Sequence, residues 1–136
     1  MQMIPFDKRD GYIWIDGLYK KWNDSKVHVL NHGLHYGSCV FEGIRIYDGK
    51  IFKLDEHIKR LYFSAKLLDL EIPYKVNDIK DIIIELTKKQ RVKNGYIRPV
   101  AWRGSEKMAI SAKDASTHIA IATWTWPSYF SPDKIL

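Results

Sequence analysis

The sequence predicts an α+β domain, an antiparallel sheet with two helices packed on one side. Three observations carry this prediction. Asp-Gly pairs at Asp16-Gly17 and Asp48-Gly49 each join two runs in which apolar and polar residues alternate. Between Asp55 and Gln90 the pattern changes to helical spacing, twice. From Tyr96 to Trp126 β-branched and aromatic runs return.

Tyr12 to Trp22 (YIWIDGLYKKW) reads as the first hairpin, with a type I′ turn at Asp16-Gly17. A polar turn over Asn23–Ser25 leads to a short strand, Val27–Leu30. Asn31 to Gly37 is expected to be a loop, running directly into a strand that ends at Tyr47. In that strand Phe41, Gly43 and Arg45 take one face, and Val40, Glu42, Ile44 and Ile46 the other. The chain turns at Asp48-Gly49 and returns through Lys50 to Leu54.

Helical spacing begins at Asp55, read as an N-cap with Glu56 in the first turn. Ile58, Leu61, Tyr62, Ala65 and Leu68 form one apolar stripe ending near Leu70. Arg60, Phe63, Ser64 and Leu67 form a weaker stripe opposite, which predicts a helix covered on both sides. An arginine on such a face requires an anionic partner, because an unpaired buried charge is costly. Pro73 breaks the chain, and Asn77 is expected to cap a second helix to about Gln90, with Ile79, Ile82, Ile83 and Leu86 inward. After the Asn94-Gly95 turn comes a strand, YIRPVAWR, with Tyr96, Arg98 and Val100 on one face. Pro99 points to an edge position or a bulge. A polar loop over Gly104–Ser116 precedes a buried strand, Thr117–Trp126. The domain is read as residues 1–130, with 131–136 beginning a linker.

At 136 residues the chain suits one domain, and 46% hydrophobic content suffices for a core. No apolar run is long enough to span a membrane. MQMIPFDKRDG lacks the apolar segment of a secretory signal. Cys39 is the single cysteine, which excludes an internal disulfide and fits a reducing, cytoplasmic setting; its place in SCVF reads as a small buried hydrophobe. The net charge of +6 is dispersed, without the blocks that mark nucleic-acid binding. His32 and His35 in a loop, with scattered acids, form no metal-ligand set.

Two places carry candidate chemistry. Phe41, Gly43 and Arg45 set an aromatic, a missing side chain and a cation in a row, which reads either as a bulge or as a place where a ligand nears the backbone. Tyr96 and Arg98 put a hydroxyl beside a guanidinium, which reads either as a carboxylate receptor or as an arginine paired with a nearby acid.

The stretch VHVLNHGLHYGSCVFEGIRIYDG, with its HYG step, FEGIR and following hairpin, resembles the N-terminal signature of branched-chain amino-acid aminotransferases, the class IV pyridoxal-phosphate enzymes. The likeness runs from about Tyr12 to about Tyr129. It implies the small N-terminal domain of that fold, a homodimer, and exchange of an amino group between Leu, Ile or Val and 2-oxoglutarate, with glutamate as the other amino acid. It implies that Arg60, in EHIKRL, holds the cofactor phosphate, and that Tyr96 and Arg98 read the side-chain carboxylate of glutamate. Tyr36 and Phe41 become pocket walls beside Gly43 and Arg45. Tyr36 and Ile110 reach across the dimer interface, although SEKMAIS departs from the glycine-rich loop of the family. Tyr129 falls at an interdomain tyrosine. The cofactor lysine of the family lies further on than Leu136, so no catalytic residue is assigned here and the chain alone is expected to be inactive. D-amino-acid aminotransferases and aminodeoxychorismate lyases share the fold, and a non-catalytic binding or assembly module is the alternative of another class.

Overall fold

Both Asp-Gly pairs adopt the left-handed conformation that a type I′ turn needs: Asp16 and Gly17 have φ of 48° and 94°, Asp48 and Gly49 of 49° and 75°. In the computed structural model, which describes residues 4–127, they join β1 (Tyr12–Ile15) to β2 (Leu18–Lys21) and β4 (Ile44–Tyr47) to β5 (Lys50–Ile51). The returning strand is shorter than predicted, because Lys53 turns left-handed at φ 55° and starts α2 (Leu54–Leu67). Asp55 therefore lies inside the first turn and is not the cap; its carboxylate pairs with Lys80 of α3 (Val76–Lys89). Asn77 is also inside its helix, where Lys75 takes the N-cap position without a side-chain bond.

The expected strand at Val27–Leu30 is a turn. The Leu30 N–H donates to His28 Nδ1 at 3.0 Å and the Asn31 N–H to the His28 carbonyl at 3.1 Å, so ladder donors are spent locally. The predicted loop after it contains a short helix, α1 (His32–Tyr36). Asn31 caps it by accepting from the Leu34 N–H, and Gly37 ends it at φ 69°.

The sheet is antiparallel throughout, in the order β2-β1-β7-β6-β4-β5, with β6 (Gly95–Arg103) and β7 (Thr117–Thr125) as its long central pair. β3 (Cys39–Phe41) pairs with β6 on the same side as β4, so the strand predicted through to Tyr47 is interrupted at Glu42-Gly43. Pro99 is not at an edge, since β6 has neighbours on both sides. It sits opposite the interruption: its carbonyl accepts from the Glu42 N–H at 3.1 Å, and its nitrogen, which has no hydrogen to return, faces the same gap.

One face of the sheet presents Ile44, Ile46, Ile97, Ile119 and Ile121, all fully buried beneath Ile58 and Leu61 of α2 and Ile79, Ile83 and Leu86 of α3. Both helices pack there, as predicted. The second stripe of α2 is open: Phe63 and Leu67 are 63% and 69% exposed, so no second cover exists among the described residues. No helix among them is long and apolar enough to cross a membrane.

The loop before β7 is tied down by a carboxylate–histidine–carboxylate bridge. His118 Nδ1 lies 2.6 Å from Asp16 Oδ2 and its Nε2 3.0 Å from Glu106, while Asp16 Oδ1 accepts from the Ile119 N–H and Glu106 from the Ser116 N–H. Burial favours neutral forms of both His118 and Glu106. The mutual hydrogen bonds and charges outweigh it, raising His118 above 6.5 and lowering Glu106 below 4.5.

Two outcomes follow for stability. Ile97→Ala is expected to cost about 2–5 kcal/mol in urea unfolding, against at most about 0.5 kcal/mol for exposed Lys93→Ala. The His118 contribution is complete below its unfolded pKa and is lost as pH rises through the raised folded value; that of Glu106 is complete above its unfolded pKa and is lost as pH falls through the lowered one. The Tm of the chain should therefore decline from pH 6 toward pH 9, and His118→Asn should flatten that decline; an unaltered slope in the variant would count against the bridge.

Candidate functional site

The break at Glu42-Gly43 is where the functional side chains gather, because strand alternation sends neighbours to opposite faces of the sheet there. On the face away from the helices, Phe41 projects from β3 and Tyr96 and Arg98 from β6. The Arg98 guanidinium carbon lies 4.1 Å above the Phe41 ring centre, within cation–π range. Arg98 Nη2 donates to the Tyr96 hydroxyl at 2.8 Å, which leaves the phenolic proton free to donate. Arg98 Nε is buried with no hydrogen-bond acceptor, and no carboxylate among the described residues forms an ion pair with this arginine. The sequence reading of an arginine paired with a nearby acid finds no such acid among the described residues.

Arg45 stands opposite Tyr96 in the ladder, with its guanidinium carbon 5.4 Å from the Tyr47 ring centre and Nη2 3.4 Å from the Trp126 carbonyl. Gly43 does leave room on this face, but the room is taken from within the protein: a Cβ there would collide with the Tyr96 hydroxyl. The glycine is required for space and not for backbone conformation. Trp124 and Trp126 close the far side of Tyr96, with ring centres 5.1 and 4.9 Å away. The sequence reading missed these two walls, although the two-residue spacing from Trp124 on β7 to Trp126 just past its end places both on the Tyr96 face. Below Arg98 an apolar groove of about 480 Å³ runs over Ile13, Ile15, Val100, Ala120 and Ala122.

On the helix face of the same break lies Arg60. It does have the anionic partner that its position requires, and that partner is Glu42: Nε donates to Oε1 at 2.6 Å and Nη2 to Oε2 at 2.8 Å. His57 Nδ1 is 2.8 Å from the same Oε2. Burial alone would raise the Glu42 pKa; the Arg60 and His57 hydrogen bonds outweigh it and hold the carboxylate below 4.5.

Tyr36 and Ile110 are not in this group. Tyr36 lies with Leu68, Arg103 and Lys113 near the other end of β6, and Ile110 is 88% exposed. The two belong to one ledge, since buried His32 packs against the Tyr36 ring at 4.6 Å and reaches the Ala109 carbonyl at 2.8 Å. His32 also meets Ser38 Oγ at 2.6 Å, and His35 the Val29 carbonyl at 2.8 Å, so both histidines serve the local fold. Cys39 is exposed, contrary to the sequence expectation, because it shares the outer face with Phe41 while Val40 points inward. Tyr129 and the 131–136 linker lie outside the described residues. No group of three or more potential metal ligands occurs among the described residues.

The break thus gathers a half-buried arginine with an unused donor, a tyrosine hydroxyl and aromatic walls on one face and a second arginine on the other, groups whose chemistry suits carboxylates and phosphates. Residues 39–136 match the family described as amino-transferase class IV, and the chain belongs to that family. It is 39% identical over 131 residues to the branched-chain-amino-acid aminotransferase of Pseudomonas aeruginosa, covering 93% of this chain and 43% of that protein. The solved branched-chain amino acid aminotransferase of Escherichia coli superposes with a TM-score of 0.85 at 34% identity, over 92% of this chain and 43% of the other. The solved T.th. branched-chain amino acid aminotransferase with pyridoxamine 5'-phosphate gives a TM-score of 0.87 at 36% identity, over 93% and 43%. The chain thus spans less than half the length of these relatives.

Gly43→Ala should cost about 1–3 kcal/mol in chemical unfolding by driving the Tyr96 hydroxyl out of place. In a Tyr96→Ala background the same change should cost much less, and full additivity of the two would contradict the packing described.

Proposed function

We propose that this chain supplies the substrate and phosphate walls of a branched-chain amino-acid transaminase. The whole protein moves an amino group between Leu, Ile or Val and 2-oxoglutarate, with pyridoxal 5'-phosphate as cofactor. The observation that carries the reading is Arg98, a half-buried cation whose buried Nε has no acceptor and which has no acidic partner among the described residues. Such a group is stable when a ligand brings the missing anion. The Tyr96 hydroxyl and Arg98 Nε together would bind the side-chain carboxylate of glutamate or 2-oxoglutarate. Phe41, with the apolar groove nearby, offers surface to an aliphatic side chain, worth about 1.5–3 kcal/mol when buried. Gly43 preserves the Tyr96 position, and Arg45 holds the Trp126 carbonyl that borders it.

The same protein must accept both kinds of side chain, and solved relatives support that pairing. The T.th. branched-chain amino acid aminotransferase has been crystallised with 4-methylvaleric acid and with N-(5'-phosphopyridoxyl)-L-glutamate. Arg60 fits the phosphate: it is permanently charged, and pairing with Glu42 uses only one edge of its fork. When bound, pyridoxal phosphate supplies the electron sink for amino-group exchange. The residues of this chain orient and enclose; none of its lysines is assigned to the cofactor. The exposed Tyr36 and Ile110 ledge supports a homodimer in which each subunit lends these two to its partner. A cytoplasmic location is in keeping with the single, exposed thiol of Cys39, and Tyr129 is assigned to the boundary with the rest of the protein.

In the complete gene product, Arg98→Lys should raise the KM for glutamate by about 10-fold or more, since one charge-assisted hydrogen bond is worth about 1.5–3 kcal/mol. The KM for leucine should change far less. Equal effects on both would remove Arg98 from side-chain recognition. Preference for D-amino acids, or release of pyruvate from aminodeoxychorismate, would assign the protein to the related activities. Residues 1–136 alone should show no lysine-linked cofactor absorbance, and a band in that fragment would overturn the division of roles.

A further inference from the structure

Glu42 is 5% exposed, yet it lies beside an arginine side chain that is 64% exposed. Its main chain is pinned to β6 through the bond to the Pro99 carbonyl. Both its carboxylate oxygens are engaged, one by Arg60 alone and the other by Arg60 and His57. His57 and Arg60 are three residues apart on α2, so both side chains leave the helix on one side and converge on one anion. A fork gripped at two points by a fixed carboxylate cannot swing as a surface arginine does. Two of the five guanidinium N–H groups are used, and the remaining three lie toward the edge away from Glu42.

We propose that Glu42, backed by His57, is a positioning residue for the cofactor phosphate: it turns Arg60 so that the Nη1 edge is presented, already oriented, to the phosphate oxygens. The inference rests on the assignment of Arg60 to the phosphate made above. Glu42 itself makes no contact with the phosphate; it acts through the arginine. Two opposing effects decide what its loss would do. A buried negative charge next to an anion site repels the anion, so neutralising it tightens binding. A released arginine must be ordered again at each binding event, which weakens it. Salt screens a carboxylate only 5% exposed poorly, so the Arg60→Lys background separates the two: lysine keeps a cation beside the phosphate and has no fork to orient.

The test is the Kd of the complete gene product for pyridoxal phosphate, measured in the wild-type and in an Arg60→Lys background. Glu42→Gln keeps the shape and removes the charge; with Arg60 present it should weaken binding about tenfold, the range that supporting residues one step removed from a ligand commonly command. In the Arg60→Lys background, which has no fork to orient, the same substitution should leave binding unchanged or tighter. Unchanged or tighter binding of Glu42→Gln with Arg60 present would leave Glu42 as a helix-to-sheet staple only and overturn the proposal. Unchanged binding in Arg60→Ala would instead remove the phosphate assignment itself. Should Glu42→Gln fail to fold, nitrogen-15 NMR of the wild-type protein decides. The Arg60 Nε–H should stay protected from solvent exchange with and without the cofactor, while loss of protection on binding would show the arginine leaving Glu42.

Discussion

The strand that runs along β6 is broken at Glu42-Gly43, and the candidate site depends on that break. Pro99 lacks the hydrogen that would complete its pair with Glu42, so β3 and β4 are joined to β6 by separate sets of ladder bonds. Alternation then sends Phe41 to the open face and Glu42 to the helix face within one residue. Each anchors an arginine: Phe41 lies under Arg98 of β6, and Glu42 holds Arg60 of α2. A regular strand through this region would carry a side chain at position 43, where the Tyr96 hydroxyl now sits. One irregularity in the backbone thereby sets two arginines on opposite faces of the sheet and on different supports.

The two arginines have opposite electrostatic situations, which is in keeping with the different roles proposed for them. Arg60 is balanced by a buried carboxylate, so its worth lies in orientation and in the edge left over. Arg98 is half-buried without a balancing acid among the described residues, against an aromatic face that compensates it only in part.

Much of this arrangement was legible in the sequence, and the reasons are local. The Asp-Gly turns, the faces of Phe41 and Arg45, the faces of Tyr96 and Arg98 and the inward stripes of both helices follow from short-range periodicity. The elements that differed were decided by particular side-chain bonds and by strand register, which composition and periodicity do not show. Val27–Leu30 has strand composition, yet the His28 ring takes the Leu30 N–H. Pro99 is central because its neighbouring strand breaks opposite it, which cannot be seen from residues 96–103. Arg60 needed an anion, and nothing short of the fold identified Glu42, which is 18 positions away on another element. Cys39 was read as buried because its flanks are apolar, whereas strand register turned it outward.

The most direct measurement is a crystal structure of the complete gene product holding pyridoxal phosphate and a glutamate analogue. Arg98 Nε and the Tyr96 hydroxyl should each lie within hydrogen-bond distance of the analogue's side-chain carboxylate, with Arg60 touching the phosphate while still bound to Glu42. An Arg98 satisfied by an acidic side chain of the protein itself, with the analogue bound elsewhere, would contradict the reading of this face as the substrate wall.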